Sequence, residues 1–126
     1  MLGVLIVYTL IVLYFAALPA EKIGNPTITQ NSKLLHVLEF AEFIVIATVT
    51  CLAGIDHLSF IKINIYGVLL AAITELVQLI SPGRTCSFRD VLFDLLGITL
   101  GWVLLLTLFA ALLFFITFII YILERT

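Results

Sequence analysis

Glu75, Gln78, Arg84, Arg89, Asp90 and Asp94 all fall within TELVQLISPGRTCSFRDVLFDLLG, residues 74–97 of the chain. Carboxylates held close together can act as general acid and base or as cation ligands. A guanidinium forks onto phosphate or carboxylate. Lys33 and His36, three residues apart at the start of a second apolar run, would add an ammonium and an imidazole if the fold brought them near. Glu75 is the sharpest of these signals. It lies one to two turns inside an apolar segment, where an ionised carboxylate costs about 2.5–3.5 kcal/mol on insertion scales. It therefore requires a polar pocket or a partner.

The elements that must position these groups are membrane helices. The 126 residues are 63% hydrophobic and 11% charged, against roughly 45–50% apolar for soluble domains, and the mean hydropathy is +1.31. The length fits one domain, residues 1–126. A crossing takes about 20 apolar residues. Spans are expected over residues 2–18, 34–53 and 61–80, with a fourth helix starting near Phe88. Pro19 stops the first, and Ser81-Pro82-Gly83 turns the chain after the third. Ser87 is the expected N-cap of the last helix, with Asp90 three residues on as a variant capping box. Residues 91–123 carry one charge, Asp94, and would extend about 50 Å as a helix. No Pro, Gly or Asn follows Gly101 to reverse them, so one long tilted or protruding helix is expected, with five spans as the alternative. The fold class is an all-α integral membrane bundle of four spans with a long last helix. The N-terminal run lacks a basic leader and cleavage motif and reads as a retained helix. Cys51 and Cys86 fall on opposite membrane sides, so no internal disulfide is expected, and neither has metal-type spacing.

In this topology the second and fourth helices start, and the third ends, at one membrane face. Lys33, His36, Glu39, Glu75, Gln78, Arg84, Arg89, Asp90 and Asp94 converge there. At 100° per residue Asp90, Asp94, Gly97 and Gly101 lie within about 60° of one another. Glu75 and Gln78 share a face with Gly67 and Ala71. Small residues permit close approach of membrane helices, so Gly67, Ala71, Gly97 and Gly101 are the expected packing positions and the polar groups sit at the mouth of packed helices. His36 aligns with Phe40, Phe43 and Ala47, while Glu42 points elsewhere.

Lys33-x-x-His36, then Glu75-x-x-Gln78, Pro82-Gly83-Arg84 and Asp90-x-x-x-Asp94-x-x-Gly97-x-x-x-Gly101 resemble the VanZ-like family of small bacterial and archaeal membrane proteins. The match covers residues 33–101 and is most specific over 75–101. Ser32 stands where the family often has Asp, Phe40 where Tyr is frequent, and Asp94 where Asn is usual. The last exchange puts in doubt any shared mechanism that needs an amide. The resemblance implies a multi-pass cell-membrane protein of the cell envelope, in a family linked through its founding member to resistance to the glycopeptide teicoplanin. The family usually begins with a basic N-terminus, which implies an extracytoplasmic polar cluster. Counting charges alone, Lys22, Lys33, Arg84 and Arg89 against Lys62 and Arg125 would place it in the cytoplasm. Without Lys33 and Arg84, which are functional candidates, the tally is even.

The ligand-binding candidates are Lys33, His36, Glu75, Gln78, Arg84, Asp90 and Asp94, facing membrane lipids and an anionic lipid or lipid-linked envelope precursor. Each also has a structural reading. Glu75 could pair with Arg84, Arg89 or Lys33, Gln78 could orient Glu75, and Asp90 could simply face the helix dipole. Arg84 could anchor at the interface, and Arg89 reads as a solvated or headgroup-facing charge. Asp56 and His57 read as connector residues. A metal set can be drawn from His36, Glu39, Glu75, Asp90 and Asp94, but one histidine without a paired motif leaves neither a metal nor a cofactor expected. Whether the chain is an enzyme stays open, with Glu75, Asp90 and His36 the catalytic candidates. A proton- or ion-coupled transporter subunit would need a homo-oligomer, since four spans are few. An assembly subunit needs only the packing. No basic tract indicates nucleic acid, and no Ser-His-Asp order, phosphate loop or dinucleotide fingerprint is present.

Overall fold

The computed structural model describes residues 3–19, 32–54, 59–84 and 86–125. Lys22, Asp56 and His57 lie outside them. Four helices follow one another: α1 (Gly3–Ala17), α2 (Ser32–Leu52), α3 (Phe60–Ile80) and α4 (Phe88–Leu123). The last three are long and apolar enough to cross a membrane. With α1, they make an all-α membrane bundle. At 15 residues, α1 reaches about 22 Å, short of a hydrocarbon core of about 30 Å.

α4 is one continuous helix of 36 residues, so the chain does not turn back after Gly101. Nothing in residues 102–123 supplies a breaker, and every backbone group in lipid must be bonded internally. At about 54 Å, α4 exceeds a single bilayer core. No residue after Gly101 is buried.

The most extensive packing joins α2 to α4, and the two run parallel. His36 meets Asp94, Val37 and Phe40 lie against Gly97, and Ala41 and Ile44 lie against Gly101. A methyl group built on Gly97 would sit 2.4 Å from the Val37 carbonyl oxygen, and one on Gly101 2.8 Å from Ile44 Cβ. The glycines thus let two backbones touch where any side chain would hold them apart. Gly67 is less confined, since its nearest neighbours are the ends of Ile98 and Phe43, at 3.0 and 3.1 Å.

α3 runs antiparallel to both. Its buried face, Ile63, Gly67, Leu70, Ala71, Thr74, Glu75 and Gln78, repeats every three to four residues as a one-sided helix must. α1 lies mainly on α3, with the Tyr8 hydroxyl donating to the Glu39 carbonyl at 2.6 Å and Thr9 bonded to the Tyr66 hydroxyl at 2.6 Å. Phe40, Phe43, Ile44, Ala47, Leu70 and Ala71 form the centre of the core. Far from the polar end, Trp102 Nε1 donates to Asn64 Oδ1 at 3.1 Å, which satisfies both polar groups between α3 and α4.

Candidate functional site

Two turns of chain place the polar end. Ser81-Pro82-Gly83-Arg84 is closed by the Arg84 N–H donating to the Ser81 carbonyl at 3.2 Å. Gly83 takes φ +73°, the left-handed conformation that this Pro-Gly turn requires and that glycine adopts without strain. The Ser81 hydroxyl donates back to Val77 at 2.8 Å, tying the turn to the end of α3. Three residues after Arg84, Ser87 caps α4, its hydroxyl accepting from the Arg89 N–H at 3.2 Å.

The expected capping box is completed differently. Asp90, at the third helical position, does not reach back to the Ser87 N–H. That proton goes to Glu75 Oε2, at 2.9 Å, so the carboxylate that caps α4 comes from α3. The sequence pattern showed Ser87 and Asp90 at the right spacing, but it could not show a competing acceptor twelve residues upstream. Glu75 also faces the positive end of the α4 dipole.

Three of the candidates from three helices meet beneath this cap. His36 Nδ1 lies 2.7 Å from Asp94 Oδ1, a separation typical of charge-assisted bonds. His36, Glu75 and Asp94 each offer a ligand-type atom, and these atoms lie within 4.8 Å of one another. The three residues are 8%, 3% and 0% exposed. Glu75 Oε1 and Asp94 Oδ2 are buried and have no hydrogen-bond partner among the described residues. These three side chains are the ones able to hold a metal ion there. Gln78 is buried one turn further along α3.

The remaining candidates form a rim. Lys33 is exposed, with its ammonium 5.6 Å from the centre of the Phe93 ring, near the outer limit of cation–π attraction. Arg84 and Asp90 are half-buried and Arg89 is exposed. Among the described residues the one acid–base contact at salt-bridge distance is His36–Asp94, an ion pair only when the imidazole is protonated, so Arg84 and Arg89 bridge to neither Glu75 nor Asp90. Glu39 is half-buried and Glu42 exposed, and neither joins the cluster. Phe93, under Lys33, belongs to no motif in the sequence. Its place one residue before Asp94, on the turn that faces α2, is the signal that could have found it. Both cysteines are free. Cys86 lies in the connection outside the spans. Local desolvation, and after it the Glu75 and Asp90 carboxylates, push its thiol above the usual range.

The three clustered side chains are buried among the helices. A shallow indentation without room for a ligand lies against α1, lined by Tyr8, Val12, Glu39, Phe40, Phe43 and Leu70. The polar end is therefore two-tiered: an acid–imidazole core closed within the helices, and a basic rim outside it.

This order of residues, spread over three helices and drawn to one end, is what a family comparison can test. The family model described as VanZ/LLP1 matches residues 4–110. The chain belongs to the VanZ/LLP1 family. The match takes in α1 to α3 and the part of α4 that packs against them, and it stops within the exposed length of α4. No curated protein and no solved structure matches the chain.

Proposed function

We propose that this VanZ/LLP1 protein resides in the cell membrane as a single domain and holds an anionic lipid, or a lipid-linked envelope precursor, by its phosphate-bearing headgroup. One observation carries this reading: Lys33, Arg84 and Arg89 stand at one end of the bundle without a salt-bridge partner among the described residues, while Glu75 and Asp94 are buried. A rim of cations outside any salt bridge, beside apolar surface, fits a headgroup whose acyl chains stay in lipid. Ile80 and Phe88, 81% and 76% exposed, supply apolar surface on either side of the turn. Phosphate would be gripped by the Arg84 fork and the Lys33 charge. The start of α4 contributes less, because its Ser87 and Arg89 N–H groups are already taken by Glu75 and Ser87. The buried His36–Asp94 pair and the Glu75 cap hold the three helices, and hence the rim, in register. The family's link to teicoplanin resistance is not part of this proposal.

The test is native mass spectrometry of the full chain released from mixed phosphatidylglycerol–phosphatidylcholine nanodiscs. The expected result is retention of the anionic lipid over the zwitterionic one, lost in Arg84→Ala. Equal retention of both lipids, or no change in Arg84→Ala, would count against headgroup binding.

The 2.7 Å His36–Asp94 contact favours one second reading, an enzyme at the same face in which Asp94 orients His36 for proton transfer. It requires turnover in membranes that falls with Asp94→Asn and Glu75→Gln. Activity surviving both exchanges would remove it.

A further inference from the structure

We propose that His36, Glu75 and Asp94 form a binding site for one divalent transition-metal ion of the zinc or manganese class, at the meeting point of α2, α3 and α4. The donors come from three helices, and their candidate ligand atoms lie within 4.8 Å of one another. A second observation points to a ligand. Glu75 Oε1 and Asp94 Oδ2 are buried without any hydrogen-bond partner among the described residues, although their residues are 3% and 0% exposed. A buried carboxylate oxygen left unpaired is strongly unfavourable, and more so in lipid.

Charge narrows what could pair with these oxygens. Two carboxylates and a neutral imidazole sum to two negative charges, which a divalent cation cancels, leaving a neutral buried centre. One imidazole nitrogen with two carboxylate oxygens suits zinc, manganese or ferrous iron, whereas calcium and magnesium take oxygen donors throughout. Around a four-coordinate ion, ligand atoms about 2.1 Å from the metal stand about 3.4 Å apart. The spread of up to 4.8 Å must then close by about 1.4 Å, within the reach of side-chain rotation. Three protein ligands leave a coordination position for water or another group. The site stands independently of headgroup binding, since neither Arg84 nor Lys33 takes part in it.

The experiment uses the full-length protein in detergent, stripped with chelator, loaded with Zn²⁺, desalted and analysed for metal by mass spectrometry. About one zinc per chain is expected. Asp94→Asn and His36→Gln should each weaken retention at least about tenfold, while Glu42→Gln, at an exposed carboxylate of α2, should leave it unchanged. X-ray absorption on the wild-type zinc form decides the matter even if a variant misfolds. Nitrogen and oxygen neighbours with imidazole scattering support the site. Sulfur neighbours, substoichiometric zinc, or full retention in Asp94→Asn would overturn it.

Discussion

Gly97→Ala is the most severe small change the bundle offers. The added methyl would meet the Val37 carbonyl oxygen at 2.4 Å and Phe40 Cβ at 2.9 Å. The first is backbone of a packed helix and cannot rotate away. Ordinary carbon–oxygen contact begins about 1 Å further out, so α4 must retreat from α2 by about that much. Asp94 lies one turn before Gly97 on the same face. If α4 moves as a rigid body, the 2.7 Å His36–Asp94 contact opens to about 3.5 Å or more, beyond hydrogen-bonding range. Overpacking of this kind costs about 1–3 kcal/mol, to which loss of the buried pair adds. The assay is equilibrium unfolding in mixed micelles followed by the fluorescence of Trp102, the one tryptophan. It is paired with imidazole nitrogen NMR of His36 in a His57→Gln background. Gly97→Ala should be destabilised and should lose the hydrogen-bonded Nδ1 signal. Gly101→Ala should follow, and Gly67→Ala should be mildest, because side-chain ends at 3.0 and 3.1 Å can yield. The reasoning fails if Gly97→Ala matches wild type, or if Gly67→Ala is the worst of the three.

Ser87→Ala removes the hydroxyl that accepts from the Arg89 N–H and should lower stability by about 0.5–2 kcal/mol in the same unfolding assay. Asp94→Leu should destabilise the chain by about 3–5 kcal/mol by leaving His36 buried without its partner, whereas Asp94→Asn, which preserves an acceptor, should lose clearly less. Because local desolvation, and after it the Glu75 and Asp90 carboxylates, hold the Cys86 thiol high, its maleimide labelling should rise with pH at a midpoint above that of a free cysteine, and Glu75→Gln should move that midpoint part of the way down. In intact cells a membrane-impermeant maleimide should label Cys86 in a Cys51→Ser background if the polar end is extracytoplasmic; labelling only after lysis would place it in the cytoplasm.

Much of the architecture was legible because lipid permits few alternatives. Apolar length located three long helices, and the absence of a breaker after Gly101 gave the single α4. The 3.6-residue period put His36, Phe40, Phe43 and Ala47 on one face and Glu42 off it, as their burial shows. Gly97 and Gly101 were readable as points of close approach, but their partner was not. That α2 and α4 lie parallel and in contact depends on which helices become neighbours, and no periodicity records it. The same limit hid the Glu75–Ser87 bond, which needs the end of α3 against the start of α4 to within an ångström. It also hid how the polar end divides. The sequence places nine polar residues at one face alike, whereas packing encloses His36, Glu75 and Asp94 and leaves Lys33, Arg84 and Arg89 outside. Metal ligation by a lone histidine had little to recommend it until Glu75 and Asp94 arrived from separate helices.

An experimental structure of the full chain in a lipid phase containing phosphatidylglycerol tests the central claim most directly. The account expects headgroup density against Arg84, within reach of Lys33 or Arg89, with the Glu75 and Asp94 carboxylates still turned inward. Arg84 folded onto Asp90 or Glu75 as an ion pair, with no density at the rim, would contradict it.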